Sequence, residues 1–318
     1  MGNSLCCSED TGVLKNSAFV FVKPHAQTAA VRDLVKSKLT ESKIKILSEG
    51  EILAKDIDEK QLIDKHYYAI ASKATLMTPD KLPVPAEKFK EKFGEDWQAV
   101  LKAGKAVNAT QACKDFNIDA TKLEEEWRKC EPAGTVIKFG GGFYCGKMVF
   151  GGKERYVFNA FFMAMRSKFT SPGKSIYYYS VEWDPADCSW EKFRGSVLGP
   201  TDPAAAPAGS VRRSVFDGWK SLGLSSEPNK GDNGVHASAS PFEGLAERMN
   251  WLQTPVGVDA FGKALLLKGL SEERIKAWSV DPQVGMENGQ NGSVFDALED
   301  MDVEVCLSKL VALNAANA

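Results

Sequence analysis

The stretch that most constrains this chain is Gly231–Trp251, GDNGVHASASPFEGLAERMNW. It carries a full set of helix-start signals. Ser240 is a cap whose hydroxyl can take an orphan backbone N–H, and Pro241 sits at the first helical position, where no N–H is needed. Glu243, three residues past the cap, completes a capping box. Phe242, Leu245, Ala246, Met249 and Leu252 then recur at helical spacing and define a buried face. Ahead of the cap, Gly234-Val235 is a short apolar piece leading into His236. The sequence therefore holds His236 at a rigid strand-to-helix junction, with Glu247 on the next helix able to fold back towards it. A lone histidine near a helix start is more often structural than chemical, so its role depends on what else the chain supplies.

Taken in order, the chain begins with a short buried strand, Ala18–Val22 (AFVFV), ending at Lys23-Pro24. Thr28–Leu39 reads as an amphipathic helix with Val31, Leu34, Val35 and Leu39 on one face. Ile44–Leu53 returns as a strand, and Ile57–Tyr67 is a second helix ending in His66-Tyr67. This alternation predicts an α/β sandwich with helices covering a sheet. Pro79, Pro83 and Pro85 open a linker. Ala86–Lys102 then reads as one helix with Phe89, Phe93, Trp97, Val100 and Leu101 stepping round a face, Leu123–Lys129 as another, and Gly140–Gly152 as a hairpin. Val157, Phe158, Phe161, Phe162 and Met165 fall on one helical face, and Ile176–Val181 is an aromatic strand. Two glycine runs imitate phosphate loops. Gly140–Gly146 lacks the last glycine of G-x-G-x-x-G, and Gly173-Lys174-Ser175 would need a glycine at Lys168, so both read as turns. Beyond Trp251, Val258–Leu270, Ser271–Trp278 and Ser293–Leu313 read as helices, apolar enough to dock onto the body or a partner.

Charge and cysteines narrow the function classes. With 40 basic and 42 acidic residues, the chain has no basic excess that argues for nucleic acid as a partner. There is no apolar run near the length of a membrane span and no secretory signal pattern. Seven cysteines without a CxxC read as reduced thiols of a cytoplasmic protein. The start Met-Gly-Asn-Ser-Leu-Cys-Cys resembles an N-myristoylation signal, with Gly2 as acceptor, Cys6 and Cys7 as palmitoylation sites, and Cys where the motif prefers Ser or Thr. Two lipids would be needed for firm anchoring at the cytoplasmic face of a membrane, since one myristoyl chain binds only marginally.

Asn233-x-x-His236-x-Ser238, then Glu247 and Trp251, resembles the signature of nucleoside diphosphate kinases. Lys23-Pro24 after a buried strand, His66-Tyr67, and Thr201 followed eleven positions later by Arg212 resemble the same family. The likeness covers residues 17–73 and 156–252. It leaves 1–16 as a flexible start, 74–155 as an inserted subdomain and 253–318 as a helical extension. It implies a ferredoxin-like βαββαβ sandwich and transfer of the γ-phosphoryl group of a nucleoside triphosphate to a nucleoside diphosphate, through a phosphohistidine on His236. It implies that Glu247 and Ser238 orient the ring, that Tyr67, Arg194, Thr201 and Arg212 serve the phosphates, and that Lys23, part of the same positive field, also holds the sugar hydroxyls with Asn233. Phe158 is read as the aromatic that stacks on the base, a plain core aromatic being the alternative. Mg²⁺ would ride on the phosphates, with no separate metal-ligand set in the protein. A homo-oligomer is left open. Three departures stand out: Ala237 replaces the family's glycine, His25-Ala26 replaces its Asp-Gly, and Arg194 lies one place before the expected position, which Gly195 occupies. They favour an alternative, a non-catalytic scaffold at a membrane or cytoskeletal structure.

Overall fold

The computed structural model describes residues 14–140 and 142–317, so the lipidation positions Gly2, Cys6 and Cys7 lie outside the described residues. Among those described, no helix is long and apolar enough to cross a membrane. The strands that matter are β1 (Asn16–Val22), β2 (Lys45–Leu53), β3 (Ala106–Asn108), β4 (Val136–Gly140), β5 (Phe143–Phe150), β6 (Lys153–Phe158), β7 (Ser175–Trp183) and β8 (Val235–Ala237).

Strands β1, β2, β7 and β8 form one antiparallel sheet in the order β2-β7-β1-β8. With the helix Ala29–Glu41 between β1 and β2, and the helix Val211–Asp217 between β7 and β8, this is the βαββαβ order of a ferredoxin-like sheet. The continuous apolar run of β1 follows from its central place, because side chains alternate between two covered faces. Ala18, Val20 and Val22 pack with Val31, Val35, Leu39, Val211 and Val215 on one side. Phe19 and Phe21 pack with Ile57, Ile63, Phe169 and Trp251 on the other. The helix Pro241–Trp251 lies close over β1, and Gly244 makes this possible: a Cβ there would sit 2.7 Å from the carbonyl oxygen of Ser17.

Strands β3, β4, β5 and β6 make a second sheet, mixed in direction, in the order β3-β6-β5-β4. It has cores of its own, one around Phe89, Trp97, Phe143 and Tyr156, another around Leu123, Met148 and Phe162. Here several expectations fail for local reasons. Ala86–Lys102 is two helices, Ala86–Phe93 and Trp97–Lys102, broken where Gly94 turns into the left-handed region at φ 73°. Ile57–Tyr67 is likewise divided, with Gln61 at φ 53°. Val157 and Phe158 end a strand, Asn159 turns at φ 45°, and only then does the helix Phe161–Thr170 begin. The pattern across Val157–Met165 thus joined two elements into one, and β6 runs past residue 155 into the stretch assigned to the other sheet.

The C-terminal helices Ala260–Leu267, Glu272–Trp278 and Val303–Ala316 bury Phe261, Leu265, Ile275, Trp278 and Leu310 against Phe242 and Leu245. The extension therefore docks onto the body, on the outer face of the helix that follows His236.

Candidate active site

The helix Pro241–Trp251 starts as its sequence dictates: Ser240 accepts the N–H of Glu243 at 3.1 Å. One strand earlier, His236 pairs with Phe21 across β8 and β1, and the two rings stack at 4.7 Å. Glu247, buried on the second turn of the helix, comes back under the ring. Its Oε1 lies 2.6 Å from His236 Nε2, and Ser238 Oγ donates to its Oε2 at 2.5 Å. Ser238 is fixed in turn by the N–H of Phe19, which donates to Oγ at 2.9 Å. Among the described residues His236 Nδ1 has no hydrogen-bond partner, so the ring is held at one nitrogen and free at the other.

Burial, then the fields of Lys23, Arg212 and Arg194, keep the His236 pKa well below its ordinary value, which leaves the imidazole uncharged at neutral pH. Burial also raises the Glu247 carboxyl, with Ser238 and Arg248 opposing. Lys23 is lowered to about 8, chiefly by burial and then by Arg212. Arg212 is lowered to about 10 for the same first reason, with Arg194 adding to it. These shifts are what crowded cations produce in a low-dielectric pocket, and a bound anion would relieve them.

The cations are held by backbone carbonyls. Arg212 donates from Nη1 to Gly199 at 2.7 Å and from Nε and Nη2 to Val235 at 3.1 and 3.0 Å. The receiving loop depends on Gly199, whose φ is 86° and where a Cβ would meet Ser210 Oγ at 2.7 Å. Lys23 Nζ donates to Gly231 O at 3.3 Å. Arg194 sits in a π-helical turn, Phe193–Leu198. Its charge adds to the lowering of both His236 and Arg212. Its Nη1, however, is bonded to Glu299 at 2.7 Å and Asp300 at 2.8 Å, both from the C-terminal extension.

Two cavities flank this centre, and Tyr67 lines both. One, of about 330 Å³, has Lys23, His25, Lys168, Asp232, Phe161 and, from the helix Ala120–Cys130, Arg128 on its walls. The other, of about 340 Å³, is lined by His66, His236, Glu243, Glu247 and Asn250, closed by Val280 and Phe295 of the extension. Asn233 is buried beside the first. Its Nδ2 donates to Thr201 O at 3.0 Å, and its Oδ1 has no partner among the described residues. Thr201 itself is exposed.

Of the residues picked from sequence, His236, Glu247 and Ser238 come together in one hydrogen-bonded unit, with Lys23, Tyr67, Arg194, Arg212 and Asn233 around it. Phe158 does not join them. It is fully buried in the second sheet, edge-on to Trp97 at 5.9 Å, because it ends a strand rather than facing a helix. Phe161, the first residue of the following helix, does reach the Lys23 cavity, beside Tyr67 and Phe169. Its place was visible in the Asn159 turn signal, which the apolar periodicity overrode. His66 was also passed over: its Nδ1 stands 3.4 Å from Glu247 Oε1 and accepts the indole N–H of Trp251 at 3.3 Å.

No protein-family model matches the chain, and no curated protein matches it. Among solved structures it is similar to a nucleoside diphosphate kinase from Encephalitozoon cuniculi, at 12% identity over 77% of this chain and 92% of that one, with a TM-score of 0.37. It is also similar to an NDP kinase from Pyrobaculum aerophilum, at 18% identity over 75% of this chain and 96% of the other, with a TM-score of 0.36. Likeness at that level brings no chemistry with it.

Proposed function

We propose that this protein is a nucleoside diphosphate kinase that works through a phosphohistidine on His236. The observation that carries the reading is the ring itself, clamped at Nε2 by Glu247 and unpartnered at Nδ1, in the field of three cations. A neutral imidazole with one nitrogen held by an acceptor is a nucleophile at the other. Phosphoryl transfer asks the protein mainly for in-line positioning and positive charge around the equatorial oxygens, and Lys23 and Arg212 supply that charge.

On this reading the first step forms an Nδ1–P bond as the β,γ-bridging O–P bond breaks, and the nucleoside diphosphate leaves. A second diphosphate then takes the group back. Glu247 keeps the Nε2 proton in place throughout, so no proton is lost from the pair. The buried, unpartnered Oδ1 of Asn233 fits a ligand hydroxyl, because a buried acceptor without a donor is costly. Phe161, half-buried on the wall of the Lys23 cavity, is the platform we assign to a base in place of Phe158. The wall also suits Mg²⁺ carried by the nucleotide, since its two carboxylates, Asp232 and Glu124, are taken up by Lys168 at 2.8 Å and Arg128 at 2.7 Å. Such an ion would neutralise phosphate charge when bound. In the same reading residues 74–155 are an insertion whose helix Ala120–Cys130 edges the site, and 253–318 are an extension that closes its other side.

The test is incubation with γ-labelled ATP and Mg²⁺. Wild-type protein should take up acid-labile, base-stable label and pass it to several nucleoside diphosphates, whereas His236→Ala should take up none. Label that persists on the mutant overturns the assignment. One observation favours a second reading, a non-catalytic scaffold: Arg194 is already engaged by Glu299 and Asp300. Nucleotide binding without any phosphoenzyme would decide for the scaffold.

A further inference from the structure

We propose that His66, His236 and Glu247 form a binding site for a divalent ion of the zinc class, open to the cavity of about 340 Å³ beside them. The site rests on ligand geometry alone, and only its consequence for phosphorylation depends on the function proposed above.

One ligand atom from each of the three residues lies within 4.8 Å of the other two. Ligands about 2.0–2.1 Å from a tetrahedral zinc stand about 3.4 Å apart, which is the distance from His66 Nδ1 to Glu247 Oε1. The contact between His236 Nε2 and Glu247 Oε1, at 2.6 Å, is a hydrogen bond and has to open for an ion to enter. The neutral ring changes tautomer as the metal takes its place, one proton leaving Nε2 for solvent and one arriving from solvent at Nδ1, and Trp251 gives up its 3.3 Å bond to His66. The rings are already set for convergence, at 4.6 Å between centroids and an interplanar angle of 82°. Two imidazoles and one carboxylate suit zinc, copper or cobalt and not magnesium, which demands an oxygen octahedron. Three protein ligands facing a cavity leave a fourth position for water, the arrangement of an open zinc site. Because the ion takes both His236 Nε2 and its clamp Glu247, its binding and the clamped form of the ring exclude one another. Metal occupancy would thus switch off phosphorylation of His236.

The probe is Co²⁺ added to the full-length, metal-free protein, read by visible absorption. One equivalent should give the intense bands of a four-coordinate ion, and Zn²⁺ should bleach them. His66→Gln and Glu247→Gln should each weaken Co²⁺ binding by at least about tenfold, since losing a ligand costs no less than losing a second-shell partner. Near-ultraviolet circular dichroism reports whether each variant is folded. Weak, six-coordinate absorption from wild type overturns the site, as do undiminished bands in both folded variants. Should one variant fail to fold, the wild-type spectrum and the other variant still decide. If the bands appear but no phosphohistidine forms in metal-free protein, the metal site stands and the kinase reading falls. If label forms but no bands appear, the reverse holds.

Discussion

On the helix side of His236, Glu247 and Ser238 are locked by contacts of 2.6 and 2.5 Å, while on the loop side Lys23 and Arg212 meet carbonyl oxygens at 2.7–3.3 Å and form no ion pair among the described residues. The first arrangement fixes one nitrogen of a ring. The second leaves positive charge in reserve, held in place by weak acceptors and ready for an anion. A site that needs a positioned nucleophile and an anionic substrate has use for both, and each side can be broken separately.

Breaking the locked side should have the larger effect. Glu247→Gln keeps the size of the side chain but replaces the carboxyl that holds the ring at Nε2 with an amide, a weaker acceptor. Loss of a positioned acid–base partner typically costs about a hundredfold or more in rate, so phosphoenzyme formation in a single turnover should fall by that order. An unchanged rate would mean that Glu247 only packs.

Lys23 tests the charged side through pH. With its pKa at about 8, it is charged below that value and neutral above it. Affinity for a nucleoside diphosphate should hold steady up to about pH 8 and then fall, by at most about tenfold for each further unit. Lys23→Met should bind weakly at every pH and lose this slope. A wild-type profile that stays flat through pH 8 would remove Lys23 from the phosphates.

The two sides also differ in how much of them the sequence disclosed. The locked side is local: the Ser240 cap, Pro241 and an eleven-residue spacing bring Glu247 to His236 within one strand–turn–helix, and such signals are short-range. An α/β sandwich was legible for the same reason, through the apolar run of β1 and the helix that follows it, whereas its ferredoxin-like order came only from the family resemblance. The charged side and the cavities are assembled from distant segments. Nothing near Arg194 announces Glu299 and Asp300, more than a hundred residues away, and nothing near His66 announces Glu247. The second sheet was missed because β3 pairs in parallel with β6 across some fifty residues, a contact that periodicity cannot see. Phe158 was misplaced by the same blindness. Its apolar neighbours fit a helix as well as a buried strand end, and the Asn159 turn between them was the discriminating signal.

That misplacement sharpens into a paired test. Phe161→Ala removes one aromatic ring from the wall of the Lys23 cavity and should weaken nucleotide binding about tenfold, the scale of one lost base stack. Phe158→Leu should change nucleotide affinity little and lower thermal stability instead, because it trims a fully buried ring. Both measurements, on both variants, are needed. If Phe158→Leu is the one that loses nucleotide while its melting temperature holds, the base lies in the second sheet and the assignment here is reversed.

The smallest expected effect concerns the one cation that is not in reserve. Arg194 is tied to Glu299 and Asp300, and Asp300 is anchored by its own N–H to Ala239 O at 3.0 Å, beside the His236 turn. The side chains are 30, 50 and 41% exposed, so solvent screens the pairs. Exposed ion pairs are worth about 0.2–1 kcal/mol each. Replacing both acids, as Glu299→Gln with Asp300→Asn, keeps the anchoring N–H and should free the guanidinium at little cost in stability. If the acids compete with phosphate for Arg194, nucleotide affinity rises by about twofold to fivefold in the double variant, and the gain disappears when Arg194→Gln is added. A fall in affinity would carry the opposite meaning. The extension would then be aiming Arg194 at the substrate, and the charged side of His236 would be as firmly built as the locked one.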